Sequence, residues 1–154
     1  KGIPIFTAGL ATVEALRQLQ ARKIAIISPY PVSLESPCKA YWEEFGYNIT
    51  KIIGPIPSKG SFHPIYTIDS GNVFKCYQEL SAGDADLILM LGTGMPTLGP
   101  ILAGKSEGLK PAISCNLALS WMTCSNKKLG KPTLLHDWIS GSHWSNRHLE
   151  RIIK

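Results

Sequence analysis

The chain has 154 residues, 44% of them hydrophobic and 18% charged. This composition fits one globular domain with a real core and excludes a disordered chain. No stretch approaches the roughly 18 to 20 apolar residues of a membrane span. The start, Lys1-Gly2-Ile3-Pro4-Ile5-Phe6, lacks the charged and apolar regions of a signal peptide. It also lacks an initiator Met, so a fragment or processed product is the expectation. Net charge is +5, but Lys127, Lys128, Lys131, Arg147, Arg151 and Lys154 crowd the end of the chain, and the remainder is close to neutral. A solvated basic tail explains this better than a nucleic-acid surface, which clusters basic residues with aromatics on one element. Cys38, Cys76, Cys115 and Cys124 show no metal-ligand spacing. Free thiols in a reducing, cytoplasmic setting are expected.

In chain order, Ile3 to Phe6 reads as a short strand. A helix follows from Ala8 to Ala21, with Leu10, Val13, Leu16 and Leu19 on its apolar face. The near-continuous apolar run Lys23 to Ser28 predicts a strand covered on both sides. A helix is expected near Pro37 to Phe45, with Ser36 as N-cap, Pro37 at its first helical position and Gly46 as a left-handed cap behind it. Asn48 to Ile53 is the next strand. The 13 residues Gly54 to Tyr66 form a long Pro/Gly/Ser-rich loop of the kind that serves as a lid. Asp69 or Ser70 then caps a helix to Ser81. Leu87 to Leu91 is the most strongly buried strand. After Gly92-Thr93-Gly94 a helix is expected from Pro96 to before Gly104, then a strand at Ala112 to Ser114 and a core helix from Leu117 to Cys124.

Alternating strands and helices predict a parallel sheet with helices on both faces and a site beyond the strand carboxyl ends. Those ends are Phe6-Thr7, Ser28-Pro29-Tyr30, Gly92-Thr93-Gly94 and Ser114-Cys115-Asn116. An internal echo aligns Pro4 to Ala11 with Pro111 to Ala118 at an offset of 107. Either a duplicated half-domain or two convergent βα units would produce it.

Asp86-Leu87-Ile88-Leu89-Met90-Leu91-Gly92-Thr93-Gly94-Met95-Pro96-Thr97, followed by Lys110-Pro111-Ala112-Ile113-Ser114-Cys115-Asn116-Leu117-Ala118-Leu119-Ser120-Trp121, resembles the second-half signature of one enzyme group. This is the maleate isomerase and arylmalonate decarboxylase branch of the aspartate/glutamate racemase superfamily. Gly2-Ile3-Pro4 with Thr7, Val13-Glu14-Ala15-Leu16 and Ile26-Ile27-Ser28-Pro29-Tyr30 resemble its linking segment and its Pro-Tyr turn. The resemblance covers about residues 2 to 125. It implies a flavodoxin-like sheet of about four strands, one half of a two-half fold whose site lies in the cleft between the halves. It divides the chain into a linking strand and helix (1–22), a second-half α/β domain (23–125) and a C-terminal tail (126–154).

The resemblance further implies chemistry without cofactor or metal. A cysteine thiolate attacks the substrate or exchanges a proton at its α-carbon, while N–H groups and hydroxyls hold the carboxylate. Tyr30, Gly92, Thr93, Gly94 and Asn116 match the substrate-binding positions. Two departures bear on the reaction. Gly92 stands where the family carries its second-half cysteine, and the first half is absent from the sequence. Two-cysteine racemization is therefore not expected. The implied function is that of the carboxylate-binding half of a cofactor-independent isomerase, decarboxylase or racemase-like protein, inactive alone. The alternative is a non-catalytic carboxylate-binding domain. The missing half or a second subunit is the expected partner, with no nucleic acid and no membrane.

Each residue also has a plainer reading. Gly92-Thr93-Gly94 is either a generic tight turn or an anion cradle near a helix N-terminus. Tyr30 either binds ligand or packs its ring on the sheet edge. Cys115 is the one candidate nucleophile, its pKa expected to fall at a helix N-terminus, against a small buried residue. Cys38, Cys76 and Cys124 fall in helices as inert thiols. His63 either reaches substrate from the lid or faces solvent. His136, His143 and His148 lack zinc spacing, and Trp138 and Trp144 are expected to pack against a partner surface.

Overall fold

The computed structural model describes residues 5–55, 64–125 and 133–144. Helix α1 (Ala8–Gln18) precedes strand β1 (Lys23–Ile27), then α2 (Glu35–Glu44), β2 (Asn48–Ile53), α3 (Ser70–Ser81), β3 (Leu87–Met90), α4 (Leu98–Ser106), β4 (Ala112–Ser114), α5 (Cys115–Ser125) and α6 (Leu135–Ile139). The four strands form one parallel sheet in the order β2-β1-β3-β4. From β1 the chain steps outward to β2, then crosses back over β1 to β3 and β4. That reversal is the topological switch point of a flavodoxin-like sheet, and it lies between β1 and β3.

Burial follows the ladder. Ile24, Ala25, Ile26 and Ile27 of β1 and all four residues of β3 are inaccessible or nearly so. Helices therefore cover the middle of the sheet on both sides. α1 packs on α5 and α3 packs on α4. The α3–α4 approach depends on Gly104: a Cβ there would lie 2.7 Å from Cζ of the buried Tyr77 ring. The Tyr77 hydroxyl donates to the Lys110 carbonyl and fixes that ring in place. At the amino ends of the strands Asp86 accepts from the N–H groups of Arg22 and Lys23 at 2.9 and 2.8 Å. These two bonds pull the Asp86 pKa below the ordinary carboxylate value and tie β3 to β1 at the end remote from the candidate site.

Helix ends follow local chemistry where it is unopposed. Asp69 caps α3, its carboxylate accepting from Asn72 N–H at 2.8 Å. Gly46 takes φ +86° directly behind Phe45, where a left-handed residue terminates α2. The sequence echo appears as two matching caps. Thr7 Oγ1 accepts from Leu10 N–H and Ser114 Oγ from Leu117 N–H, each at 3.2 Å.

Several expectations are corrected. Ile5 and Phe6 are not in a strand, and Ile5 is almost fully exposed; Ile3 and Pro4 of that expected strand lie outside the described residues. α1 stops at Gln18 rather than Ala21, and Leu10 faces solvent instead of the core. Ser36 does not cap α2. A 3-10 turn at Val32–Leu34 feeds directly into the helix at Glu35, so Pro37 falls at the third helical position. Its missing N–H has no intrahelical partner to lose there. α4 begins at Leu98, two residues after Pro96, and runs past Gly104 to Ser106. α5 begins at Cys115, because the Ser114 hydroxyl caps it.

Candidate functional site

The carboxyl ends of β1, β3 and β4 meet at the switch point. Ser28 leaves β1 buried, and its hydroxyl accepts from Tyr30 N–H at 3.3 Å. This bond folds the Ser28-Pro29-Tyr30 turn back on itself and leaves the Tyr30 side chain 42% exposed. Alongside, Leu91 N–H donates to Ile27 O at 2.9 Å, extending the β1–β3 ladder by one rung. Gly92 then turns the chain with φ +85°. A Cβ at Gly92 would enter the Pro29 ring, 3.1 Å from Cδ and closer still to Cγ. The backbone of one turn thus lies flush against the proline of the other, and only glycine satisfies both conditions.

Gly92 to Met95 close a turn, with Met95 N–H on Gly92 O at 3.3 Å. Asn116, the second residue of α5, donates its side-chain amide to Thr93 O at 3.0 Å. It therefore braces the turn from the neighbouring strand end. Gly94 is occupied on its other side: an added Cβ would lie 2.6 Å from Cε1 of Tyr66 and 3.1 Å from Cγ2 of Ile65. Both belong to a 3-10 turn at Pro64–Thr67. The end of the long loop therefore rests on the Gly92-Thr93-Gly94 turn. His63 lies outside the described residues, as does His148.

Cys115 opens α5 rather than ending a strand, and it is 8% exposed. Burial raises its thiol pKa above the ordinary value, while hydrogen bonds from the backbone N–H groups of Asn116, Cys115 and Gly92 oppose that rise. The expected lowering at a helix N-terminus is therefore overturned in sign. The donors are present, but desolvation of the thiolate outweighs them. Tyr30 is shifted the same way, first by burial and then by its proximity to Cys115 and Cys38. Its phenol is held as a neutral hydrogen-bond donor.

Tyr30, Gly92, Thr93, Cys115 and Asn116 thus gather around one strand-end turn, and Gly94 faces the loop. The backbone N–H groups of Asn116, Cys115 and Gly92 act on the Cys115 thiol, and the Cys115 thiol in turn acts on the neutral Tyr30 phenol. Such a set can stabilise a single negative charge, on sulfur or on an oxygen brought to the same place.

Sequence reasoning missed the part played by four residues. Pro29 fixes the backbone of Gly92, Ile65 and Tyr66 cover Gly94, and Cys38, read as inert, stands near Tyr30. The adjacency of Pro29 and Tyr30 was the only local signal for the first; the others depend on tertiary approach. Cys76 lies partly buried in α3 and Cys124 is exposed in α5. No group of three or more His, Cys, Asp or Glu side chains that could hold a metal occurs among the described residues. His143 stacks on Trp138 at 4.4 Å between ring centroids. Trp138 is buried, and its indole N–H donates to Thr133 Oγ1. No described helix is long and apolar enough to cross a membrane.

No family model matches the sequence, and no curated protein matches it in sequence. Solved structures do match in fold. Maleate isomerase of Pseudomonas putida S16, a Cys-to-Ala variant with maleate, superposes with TM-score 0.74 at 22% identity, over 90% of this chain and 56% of that one. Nocardia farcinica maleate cis-trans isomerase, a Cys-to-Ser variant with a covalently bound succinylcysteine intermediate, gives 0.66 at 24% identity, over 77% of this chain and 48% of that one. Arylmalonate decarboxylase gives 0.64 at 22% identity, over 79% and 51%. These enzymes are members of the Asp/Glu racemase-like superfamily. The chain has the racemase-like fold and spans about half the length of the structures that it matches.

Proposed function

We propose that this chain is the carboxylate-binding half of a cofactor-independent isomerase or decarboxylase, its ligand seated at the β1–β3 switch point. The reading rests above all on one observation: the Gly92-Thr93-Gly94 turn lies flush against the Pro29-Tyr30 turn and is braced by Asn116, which brings backbone N–H groups and the Tyr30 hydroxyl to one strand-end place. A small carboxylate, or the enediolate formed from it, needs such a set of fixed, uncharged donors. In this reading Tyr30 donates its O–H to a carboxylate oxygen. Thr93 and the Gly92-Thr93-Gly94 backbone hold the remainder, and Asn116 keeps the turn in position by its bond to Thr93 O.

The fold neighbours work on substrates of this class: one structure holds maleate and another a succinylcysteine intermediate. The reactive thiolate is assigned to the other half of the protein. Gly92 carries no side chain, and burial keeps Cys115 a neutral thiol near pH 7. That pair of facts also favours the second reading, a domain that binds a carboxylate and performs no chemistry.

One experiment separates the two. The naturally produced protein is incubated in deuterated water with maleate and, separately, with a substituted malonate, and the products are followed by proton NMR. Isomerization, decarboxylation or α-carbon deuteration, lowered at least tenfold in Tyr30→Phe, is the expected result. Binding of either acid without turnover leaves the second reading. Ligand binding and turnover that are both indifferent to Tyr30→Phe would refute the site itself.

A further inference from the structure

A second cavity of about 490 Å³ opens beside the β3 and β4 strand ends, bordered by Ser70, Met95 to Gly99, Asn116, Leu117, Ser120, Trp138 and Trp144. It shares Met95 and Asn116 with the turn that runs from Gly92 to Met95. Its wall includes the N-terminus of α4, which is capped in an unusual way. Thr97 occupies the N-cap position but takes helical φ and ψ of −118° and −27°, and its side chain caps nothing. An N-cap threonine ordinarily accepts from the N–H of the second or third helical residue. Here the third residue is Pro100, which has no N–H.

The consequence is a polar group with no partner. Thr97 is 6% exposed, and its hydroxyl makes no hydrogen bond among the described residues. The only fully enclosed, unpaired side-chain oxygen or nitrogen among those residues is Ser81 Oγ. The Thr97 hydroxyl is therefore not sealed in, and the space that it borders is this cavity. The N–H groups of Leu98 and Gly99 are likewise unspent, because the first backbone bond of the helix is Ile101 N–H to Thr97 O at 3.0 Å. Thr97, Leu98 and Gly99 at the positive end of α4 thus border the cavity together with Met95, Leu117, Trp138 and Trp144.

We infer that this cavity binds a monocarboxylate with a compact apolar body. The carboxylate sits on Thr97 Oγ1 and the N–H groups of Leu98 and Gly99; the hydrocarbon lies against the two indoles. Helix-terminal donors suit an anion. No bordering residue is ionisable, so one negative charge is matched, whereas a phosphate dianion would lack a cation to balance it. Both indole N–H groups are already spent, on Thr133 and on the Trp138 carbonyl. The tryptophans therefore offer apolar faces, not donors. The site is independent of the reading of the switch-point turn.

The test uses the whole chain with benzoate as probe and benzamide as its neutral match, by titration calorimetry and indole fluorescence. Saturable benzoate binding is expected, with benzamide at least tenfold weaker. Thr97→Val, which keeps the shape and removes the hydroxyl, should weaken benzoate roughly tenfold. Ser120→Asp, an exposed change on the cavity rim, should weaken benzoate and spare benzamide, and it stands in should Thr97→Val fail to fold. Both cavity variants should keep their response to maleate, which keeps this site distinct from the other. Equal binding of acid and amide, benzoate affinity unchanged in both cavity variants, or no saturable binding of benzoate would overturn the proposal.

Discussion

Replacing Gly92 by alanine tests how the switch point is built. Two penalties are expected. A residue with a Cβ at φ +85° costs about 1–2 kcal/mol in the left-handed region. The Cβ also enters the Pro29 ring, and a closed ring cannot rotate aside, so overpacking adds about 1–3 kcal/mol. Alanine returns about 0.4–1 kcal/mol by restricting the unfolded chain. The net loss is about 2–4 kcal/mol, a large share of the roughly 5–15 kcal/mol that holds a domain together.

Gly46 supplies the control, with φ +86° and nothing within 4 Å of an added Cβ. Gly46→Ala meets the first penalty without the second and should lose about 1 kcal/mol. The difference between the two variants isolates the Pro29 contact. Adding Pro29→Ala to Gly92→Ala should then recover more than Pro29→Ala alone would suggest, giving a positive coupling. Urea denaturation followed by far-UV circular dichroism measures the parent and all four variants, with midpoints compared at constant slope. Equal losses for Gly92→Ala and Gly46→Ala would refute the claim that the two turns are in contact. The same reasoning predicts that a cysteine at position 92 would not simply restore a family-like thiol, since its β-carbon meets the same ring.

Two further outcomes follow from Tyr77. Gly104→Ala should cost about 1–3 kcal/mol, because the ring that blocks the added methyl is pinned by its bond to Lys110 O; a midpoint within 0.5 kcal/mol of the parent in urea would show that α3 and α4 can slide apart freely. Burial raises the Tyr77 phenol to about 12, above the unfolded value of about 10. The folded state thus retains the proton longer, and the resulting stability is complete below about pH 10 and lost as pH rises toward 12. Tyr77→Phe should flatten that window relative to the parent in pH-dependent melting, and an unchanged slope would count against the assignment.

Much of the fold was legible because local signals and burial agreed. The apolar runs of β1 and β3 named the central strands, and Asp69 and Gly46 marked their helix ends. Errors arose where a local signal lost to its context. Ser36-Pro37 looks like a helix start, but the 3-10 turn at Val32–Leu34 had already set the helical path. Leu10 fits the apolar period of α1, yet it faces solvent while Ala11, Thr12 and Val13 beside it are buried. At the candidate site the turns themselves could be read, since small and hydroxylated residues after apolar runs mark strand ends. Their mutual arrangement could not be read. That Gly92 abuts Pro29, or that burial outweighs three N–H groups at Cys115, depends on distances between segments more than 60 residues apart in one case and on solvent exclusion in the other. Thr97 escaped notice for a simpler reason: with the helix expected from Pro96, it reads as an ordinary residue of the first turn until the true helix start at Leu98 is known.

The packing of α1 on α5 also governs the order of assembly. These helices begin 107 positions apart, so their contact closes nearly the whole chain into a loop. Closure of that length carries a large entropic cost before any contact offsets it. The β1-α2-β2 and β3-α4-β4 units, by contrast, unite neighbours in sequence. α1 should therefore dock last, onto a sheet already formed, and detach first under mild denaturant. Hydrogen exchange would then find its amides opening before those of β1, although the two elements are separated by only four residues.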